Sequence, residues 1–467
     1  MRPSKNFFVF ISLFLAVCFT ACKKDDQPQL RFVVVSDIHF SRNANAAEFV
    51  PIALKNLLQR KPLPDALFVC GDFTENGWPD EYDFAMEIFN NRSIIPEEVK
   101  VYLMTGNHEF REIRYVEGVQ EVEGCTPDKQ KNFRFEQMSS IERFTAKTGQ
   151  PPHQYIDIKG YPFITISLTA GDNLLGTMPH IDVNYHFYDD NAMRFLTEKM
   201  ADAAQKYRGK PIFLFSHVGS ENTCVGTFFP IDGGGQNQFH TVLNGYPQTV
   251  FFSGHSHAPI GDPQTIHQEH YTSVNDGCLL PSSSKIGMEG LIVNVQKDGR
   301  VEIERWDAYR NEEILPRFQL EAPFDGSNFT YANRDGRPAP VFESNAAVTA
   351  SVIGSDLIVR FPRATDNEVV SYYTIEFLDE DGTVMYANER QSDFFLNSQM
   401  PLIYALRYPL MGKNVPTGLQ PCKTFQIRVT AVDTYENRSA PIVSERVTVP
   451  ATFIVEYVRP FERYRKP

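Results

Sequence analysis

Five short clusters of polar residues have the types and spacing for metal chemistry. They are Asp37-Ile38-His39, Gly71-Asp72, Gly106-Asn107-His108-Glu109, Ser216-His217 and Gly254-His255-Ser256-His257. Five of the eleven histidines fall in them. Imidazole and carboxylate donors suit Mn, Fe, Zn and similar divalent ions, and the absence of cysteine from the motifs argues against a soft thiolate site. Two ions about 3.5–4 Å apart can share one carboxylate and one hydroxide, and can clamp an in-line displacement at phosphorus. A single Asp-x-His or His-x-His is a weak signal. The ordered set is not.

Each cluster stands where an apolar run ends. Arg31–Val35 precedes the first, Ala66–Cys70 the second and Val99–Met104 the third. Pro211–Phe215 and Thr249–Phe252 precede the last two. Helical patterns separate them over Ala46–Leu58, Asp80–Phe89 and Ala192–Lys206. Alternation of strand and helix predicts a parallel sheet with right-handed crossovers. Ligands of such sheets bind outside the carboxyl ends of the strands, so the clusters should converge on one edge.

In order and content, the clusters resemble the motifs of the calcineurin-like metallophosphoesterases: Asp-x-His, Gly-Asp, Gly-Asn-His-Asp/Glu, His and Gly-His-x-His. The resemblance implies an α/β fold, a four-layer α/β/β/α sandwich, and a dinuclear site that hydrolyses a phosphate ester. By the same resemblance, Asp37, His39 and His257 bind one ion, Asn107, His217 and His255 bind the other, and Asp72 bridges them. His108 is implied to touch the phosphoryl oxygen and protonate the leaving group, as a general acid of near-neutral pKa can. Glu75 stands where purple acid phosphatases carry a tyrosine, so a tyrosinate–ferric site is not expected. Asn76 stands where protein Ser/Thr phosphatases carry an arginine. The pattern is nearer to cyclic-nucleotide phosphodiesterases and related secreted phosphoesterases, with a small diester or monoester as substrate. An alternative is a surface binding lipoprotein in which the metal site is structural or inactive.

The 467 residues allow two or three domains. Arg2 and Lys5 precede the apolar run Phe7–Phe19, which is too short to cross a bilayer comfortably and reads as a secretory signal. Phe19-Thr20-Ala21-Cys22 resembles a bacterial lipoprotein box, which implies lipidation at Cys22 and a place in the bacterial cell envelope, periplasmic or on the outer-membrane surface. The expected organisation is a signal peptide over 1–21, a linker over 22–29 and a catalytic domain over 30–320. A second linker covers 321–340, an all-β sandwich 341–450 and a tail 451–467. The sandwich, with strands such as the alternating Phe425–Val432, resembles a fibronectin type III module around an unusually long loop, Gln391–Leu419.

Forty-five basic against 58 acidic residues give a net charge of −13, which disfavours a nucleic-acid polymer as partner. Beyond the leader, Cys70, Cys125, Cys224, Cys278 and Cys422 are sparse and show neither a disulfide framework nor a zinc knuckle. Arg111, Arg114 and Arg134, in the mixed stretch Phe110–Gln150, can lie over the site or be ordinary solvated charge. His267 and His270 read as loop residues packed on the next strand, and Gly233-Gly234-Gly235 as a flexible loop.

Overall fold

The computed structural model describes residues 27–40, 46–110, 140–169, 188–227, 238–279, 288–392, 402–411 and 414–452. The leader with Cys22, Cys125, the three arginines of the insert and Gly233–Gly235 lie outside them.

The first part of the chain runs β1 (Leu30–Val35), α1 (Ala46–Leu58), β2 (Ala66–Val69), α2 (Pro79–Phe89), β3 (Lys100–Leu103) and α3 (Ser140–Thr148). Next come β4 (His153–Ile158), β5 (Tyr161–Ile166), α4 (Asp190–Lys206), β6 (Ile212–Ser216), α5 (Gln238–Leu243) and β7 (Thr249–Ser253). β8 (Ile266–Gln268), β9 (Thr272–Asn275), β10 (Glu289–Val295), β11 (Val301–Asp307) and β12 (Glu312–Leu320) complete it. α2 starts on Pro79, whose fixed φ suits a first helical position, and Glu81 turns back to accept the Trp78 N–H at 3.3 Å. α4 is capped by Asp189, which accepts the Ala192 N–H at 2.8 Å.

Two six-stranded sheets result, in the orders β12-β11-β10-β1-β2-β3 and β4-β5-β6-β7-β9-β8. β1, β2 and β3 are parallel in the first, as are β5, β6, β7 and β9 in the second. Their central strands are buried throughout and mostly apolar, because both faces are covered. Phe32 and Phe68 of the first sheet point at Phe163, Phe213 and Phe215 of the second; Phe68 stacks on Phe215 with ring centroids 4.0 Å apart. The alternate residues face outward: Val33, Val35, Leu67 and Val69 pack under α1 and α2, while Ile164, Ile212 and Leu214 pack under α4 and α5. The layers are therefore helix, sheet, sheet, helix. Truncating Phe32 to Ala should cost about 3–5 kcal/mol, because it touches four rings across the sheet interface and Phe68 beside it.

The C-terminal part is all antiparallel. β13 (Thr349–Ile353), β14 (Asp356–Pro362), β15 (Val370–Leu378), β16 (Val384–Gln391), β17 (Ile403–Pro409), β18 (Thr424–Asp433), β19 (Ile442–Val443) and β20 (Val447–Thr448) form it. Sheet β13-β14-β17 faces sheet β16-β15-β18-β19, β20 pairs with β18, and Phe361, Tyr373, Phe377, Phe425 and Ile427 lie between them. The long loop expected over Gln391–Leu419 is corrected here. It contains β17, whose Tyr404 and Tyr408 are buried while Ala405 and Arg407 face solvent.

Candidate metal centre

Strand register is what gathers the clusters. Val35 pairs with Val69 and Val69 with Leu103, so the turns after β1, β2 and β3 leave the first sheet side by side. Ser216 pairs with Ser253, which does the same for β6 and β7 of the second sheet. The turns are then stitched together: Asp37 N–H donates to Gly71 O at 3.1 Å, His39 N–H to Asp72 O at 2.9 Å, and Gly254 N–H to His217 O at 3.0 Å. Across the sheets, His217 Nδ1–H donates to Cys70 O at 2.7 Å, and His255 N–H to Asp37 Oδ2 at 2.9 Å.

These turns use costly backbone. Asp37, His39, Asp72, His255 and His257 all have left-handed φ, at 53°, 51°, 51°, 68° and 50°. Such φ is uncommon for residues with a Cβ, costs of order 1–3 kcal/mol each and gathers at functional sites. Glycine is needed where the turns touch. A Cβ on Gly106 would lie 2.2 Å from Asp72 Oδ1, and one on Gly254 would lie 2.5 Å from Asp37 Oδ2.

All eight residues singled out in the sequence meet in one place. His257 Nε2 lies 2.9 Å from Asp37 Oδ1 and 3.2 Å from His39 Nε2. Beside them, Asn107 Oδ1 lies 2.9 Å from His217 Nε2 and 3.0 Å from His255 Nδ1, and the two rings approach to 3.1 Å. Asp72 stands between the groups, with Oδ2 3.2 Å from His217 Nε2 and 4.0 Å from His39 Nε2. His108 Nε2 is 3.7 Å from the same oxygen. His267 and His270 stay apart from the cluster and face Glu269.

The donor set fits divalent ions. Metal bonds of about 2.0–2.2 Å put neighbouring ligand atoms about 3–3.4 Å apart, close to these separations. Two groups, Asp37–His39–His257 and Asp72–His217–His255, each place their donor atoms within 4.8 Å of one another. Nitrogen facing nitrogen is unfavourable unless a proton or a cation lies between. Burial disfavours charge here, yet the carboxylates hold His39 at about 9 and His217 at about 10. In return the imidazoles hold the Asp37 and Asp72 carboxyls below the usual range, against the effect of burial. Such a pocket retains protons only until a metal ion takes their place.

Two carboxylates support the cluster. Glu109 accepts the N–H groups of Asp72, Thr74 and Gly106 at 3.0, 2.8 and 2.6 Å, tying the second cluster to the third. Glu75 is the residue that sequence reasoning missed. Its Oε2 lies 3.1 Å from His39 Nδ1 and 3.5 Å from His108 Nδ1, and the three form a further group able to hold a cation. Its position three residues after Asp72 was the available signal. Side-chain reach toward both rings was not.

A family model described as calcineurin-like phosphoesterase matches residues 30–259. Comparison with curated proteins gives no match. Among solved structures, a purple acid phosphatase from yellow lupin (Lupinus luteus) seeds is similar at 14% identity and TM-score 0.39, over 64% of this chain and 56% of that one. The chain thus spans just over half the length of the lupin enzyme. The twitchin kinase region of C. elegans is similar over 25% of this chain and 17% of that one, at 16% identity and TM-score 0.16. A β-glucuronidase from Ruminococcus gnavus is similar over 22% and 15%, at 13% identity and TM-score 0.14. The matched span opens at β1 and closes two residues past His257, taking in every candidate ligand, and this part of the chain belongs to the calcineurin-like phosphoesterase family.

Proposed function

We propose that the chain is a metal-dependent phosphoesterase that hydrolyses a small phosphate ester at two adjacent divalent ions. Asp37, His39 and His257 would hold one, and Asn107, His217 and His255 the other. Asp72 would contribute to both. The placing of Asp72 carries this reading: one carboxylate oxygen faces His217 on one side and His39 on the other. When bound, the ions supply Lewis acidity and lower the pKa of water.

The protein's own part is orientation and proton transfer. Cys70 O holds His217 by Nδ1–H and leaves Nε2 as the donor. Glu75 O lies 2.8 Å from His108 Nδ1 and accepts a hydrogen bond from it, so Nε2 is the atom turned to the site. From there His108 can give a proton to the departing alkoxide. Asn107 adds a neutral oxygen, which limits the negative charge facing an anionic substrate.

Turnover of bis-aryl and mono-aryl phosphates by metal-loaded protein, beside Asp72→Asn, tests the proposal. Activity on at least one ester that Asp72→Asn abolishes is the expected result. No activity on either ester with both metals bound would sink it.

We further propose anchorage at the envelope through lipid on Cys22, supported by the segment Phe19–Cys22. Among the described residues no helix is long and apolar enough to cross a membrane. Labelling with a fatty-acid analogue, lost in Cys22→Ser, is the measurement. An unlabelled wild-type protein in the soluble fraction would refute anchorage.

A further inference from the structure

Behind the candidate ligands lies a carboxyl group that the phosphoesterase reading does not use. Asp276 follows β9, whose last residue pairs with the end of β7, Ser253 with Asn275. Its N–H donates to Ser253 O at 2.9 Å, which fixes it beneath the fifth cluster. The side chain is wholly buried. Asp276 Oδ1 lies 2.6 Å from Ser36 Oγ, and the same hydroxyl bonds Asp37 Oδ2.

The number of hydrogens is the constraint. A serine hydroxyl has one proton to give. Between two ionised carboxylates it can satisfy one and must turn a lone pair toward the other. Two further groups bear on Asp276, the Cys70 thiol and the His217 ring, and both act more weakly than burial. Ser36, Asp37 and Asp276 are all fully buried, and Gly254 closes the space above, since a Cβ there would fall 2.1 Å from Ser36 Oγ. A second proton in the triad resolves the clash, and the surroundings say where. Asp37 is the oxygen donor of the group it forms with His39 and His257: it faces His257 Nε2 through Oδ1 and accepts the His255 N–H through Oδ2. Asp276 has less support, from Ser36 and the Cys70 thiol. Its Oδ2 makes no hydrogen bond among the described residues. Burial opposes a charge on its carboxyl.

We propose that Asp276 is a neutral carboxylic acid that donates to Ser36 Oγ, which in turn donates to Asp37 Oδ2. Asp276 is thus a positioning residue for a candidate metal ligand. The chain of two donors pins one oxygen of Asp37 and leaves Oδ1 aimed at His257 and His39. A neutral Asp276 also adds no negative charge behind a site that must admit a phosphate ester.

The functional half of this inference rests on the proposal that Asp37 holds a metal ion; the protonation half does not. Infrared difference spectra of metal-free full-length protein against Asp276→Asn, in mildly acidic buffer, should show a protonated-carboxyl carbonyl band that the variant lacks. In parallel, metal affinity is measured by competition with a chelator. Asp276→Asn should stay close to wild type, because its amide N–H replaces the acid O–H. Asp276→Ala and Ser36→Ala should bind about 10-fold more weakly or worse. Should Asp276→Ala fail to fold, Ser36→Ala carries that arm. Absence of the band, or an Asp276→Asn defect as large as that of Asp276→Ala, would overturn the inference. A band present in a protein that binds no metal at all would leave Asp276 neutral and instead refute the metal-dependent function.

Discussion

The main-chain N–H of His108 donates to Asp72 Oδ1 at 2.8 Å. One oxygen of the central carboxylate is thereby fixed by the backbone of the residue whose ring is the candidate acid. The other oxygen is left to face His217, His39 and the His108 ring. Position and proton transfer are thus separable at residue 108.

His108→Ala keeps the backbone donor, so metal content should be unchanged while kcat falls about 10²- to 10⁴-fold. The loss should be largest for alkyl esters and smallest for aryl esters, whose leaving groups need little protonation. Metal analysis with kcat on both ester types checks this.

Glu75→Gln removes a negative charge lying 3.1 Å from His39 Nδ1. Metal affinity should drop about 10- to 100-fold, the usual effect of a partner behind a ligand. Chelator competition reads it directly, and unchanged affinity would mean that Glu75 supports the fold alone.

Gly106→Ala should damage the site more than the fold. The new Cβ would lie 2.2 Å from Asp72 Oδ1 and 2.6 Å from Asp72 N, so Asp72 must move. A loss of about 1–3 kcal/mol in stability is expected, together with failure to retain metal through gel filtration. Thermal unfolding and metal analysis give the two halves.

Glu289 is fully buried in β10, and burial pushes its carboxyl from 4.5 up to about 8, with Asp307 adding to the effect and the Ile260 N–H and Arg305 opposing it. Between those values the folded state holds a proton that the unfolded state has released. Stability should therefore fall as pH rises from about 4.5 to about 8, then level off. Glu289→Gln removes this dependence and should gain in Tm at pH 8 relative to pH 5. An unchanged pH profile of Tm would refute it.

Much of the site was legible because its residues sit at strand ends, where a short apolar run stopped by Asp, Asn, Gly or His stands out. The same contrast located α1 to the residue and β1, β2, β3, β6 and β7 to within one or two. Elements without that contrast escaped. β12 carries Pro316 at its middle and charges at Glu312, Glu313 and Arg317, so it does not stand out as a strand, yet it forms an edge strand, where proline is tolerated. β17 has only Tyr404 and Tyr408 buried, and β4 has no fully buried residue. Glu75 and Asp276 were hidden for another reason. Their roles depend on which side chains face them across the fold, Glu75 against His39 and Asp276 against Ser36, 240 positions away.

Sequence separation has a consequence for how the protein comes to hold metal. His257 and Asp37 meet across 220 residues, and His255 and Asn107 across 148. Contacts of such span form late, because a long loop must close before they yield any stability. No chain that stops short of His257 contains the donor set, so ion uptake follows the packing of the two sheets rather than starting it. For a chain exported before it folds, the ion would then be drawn from the compartment in which folding finishes, and the metal found in the protein would record that compartment's supply.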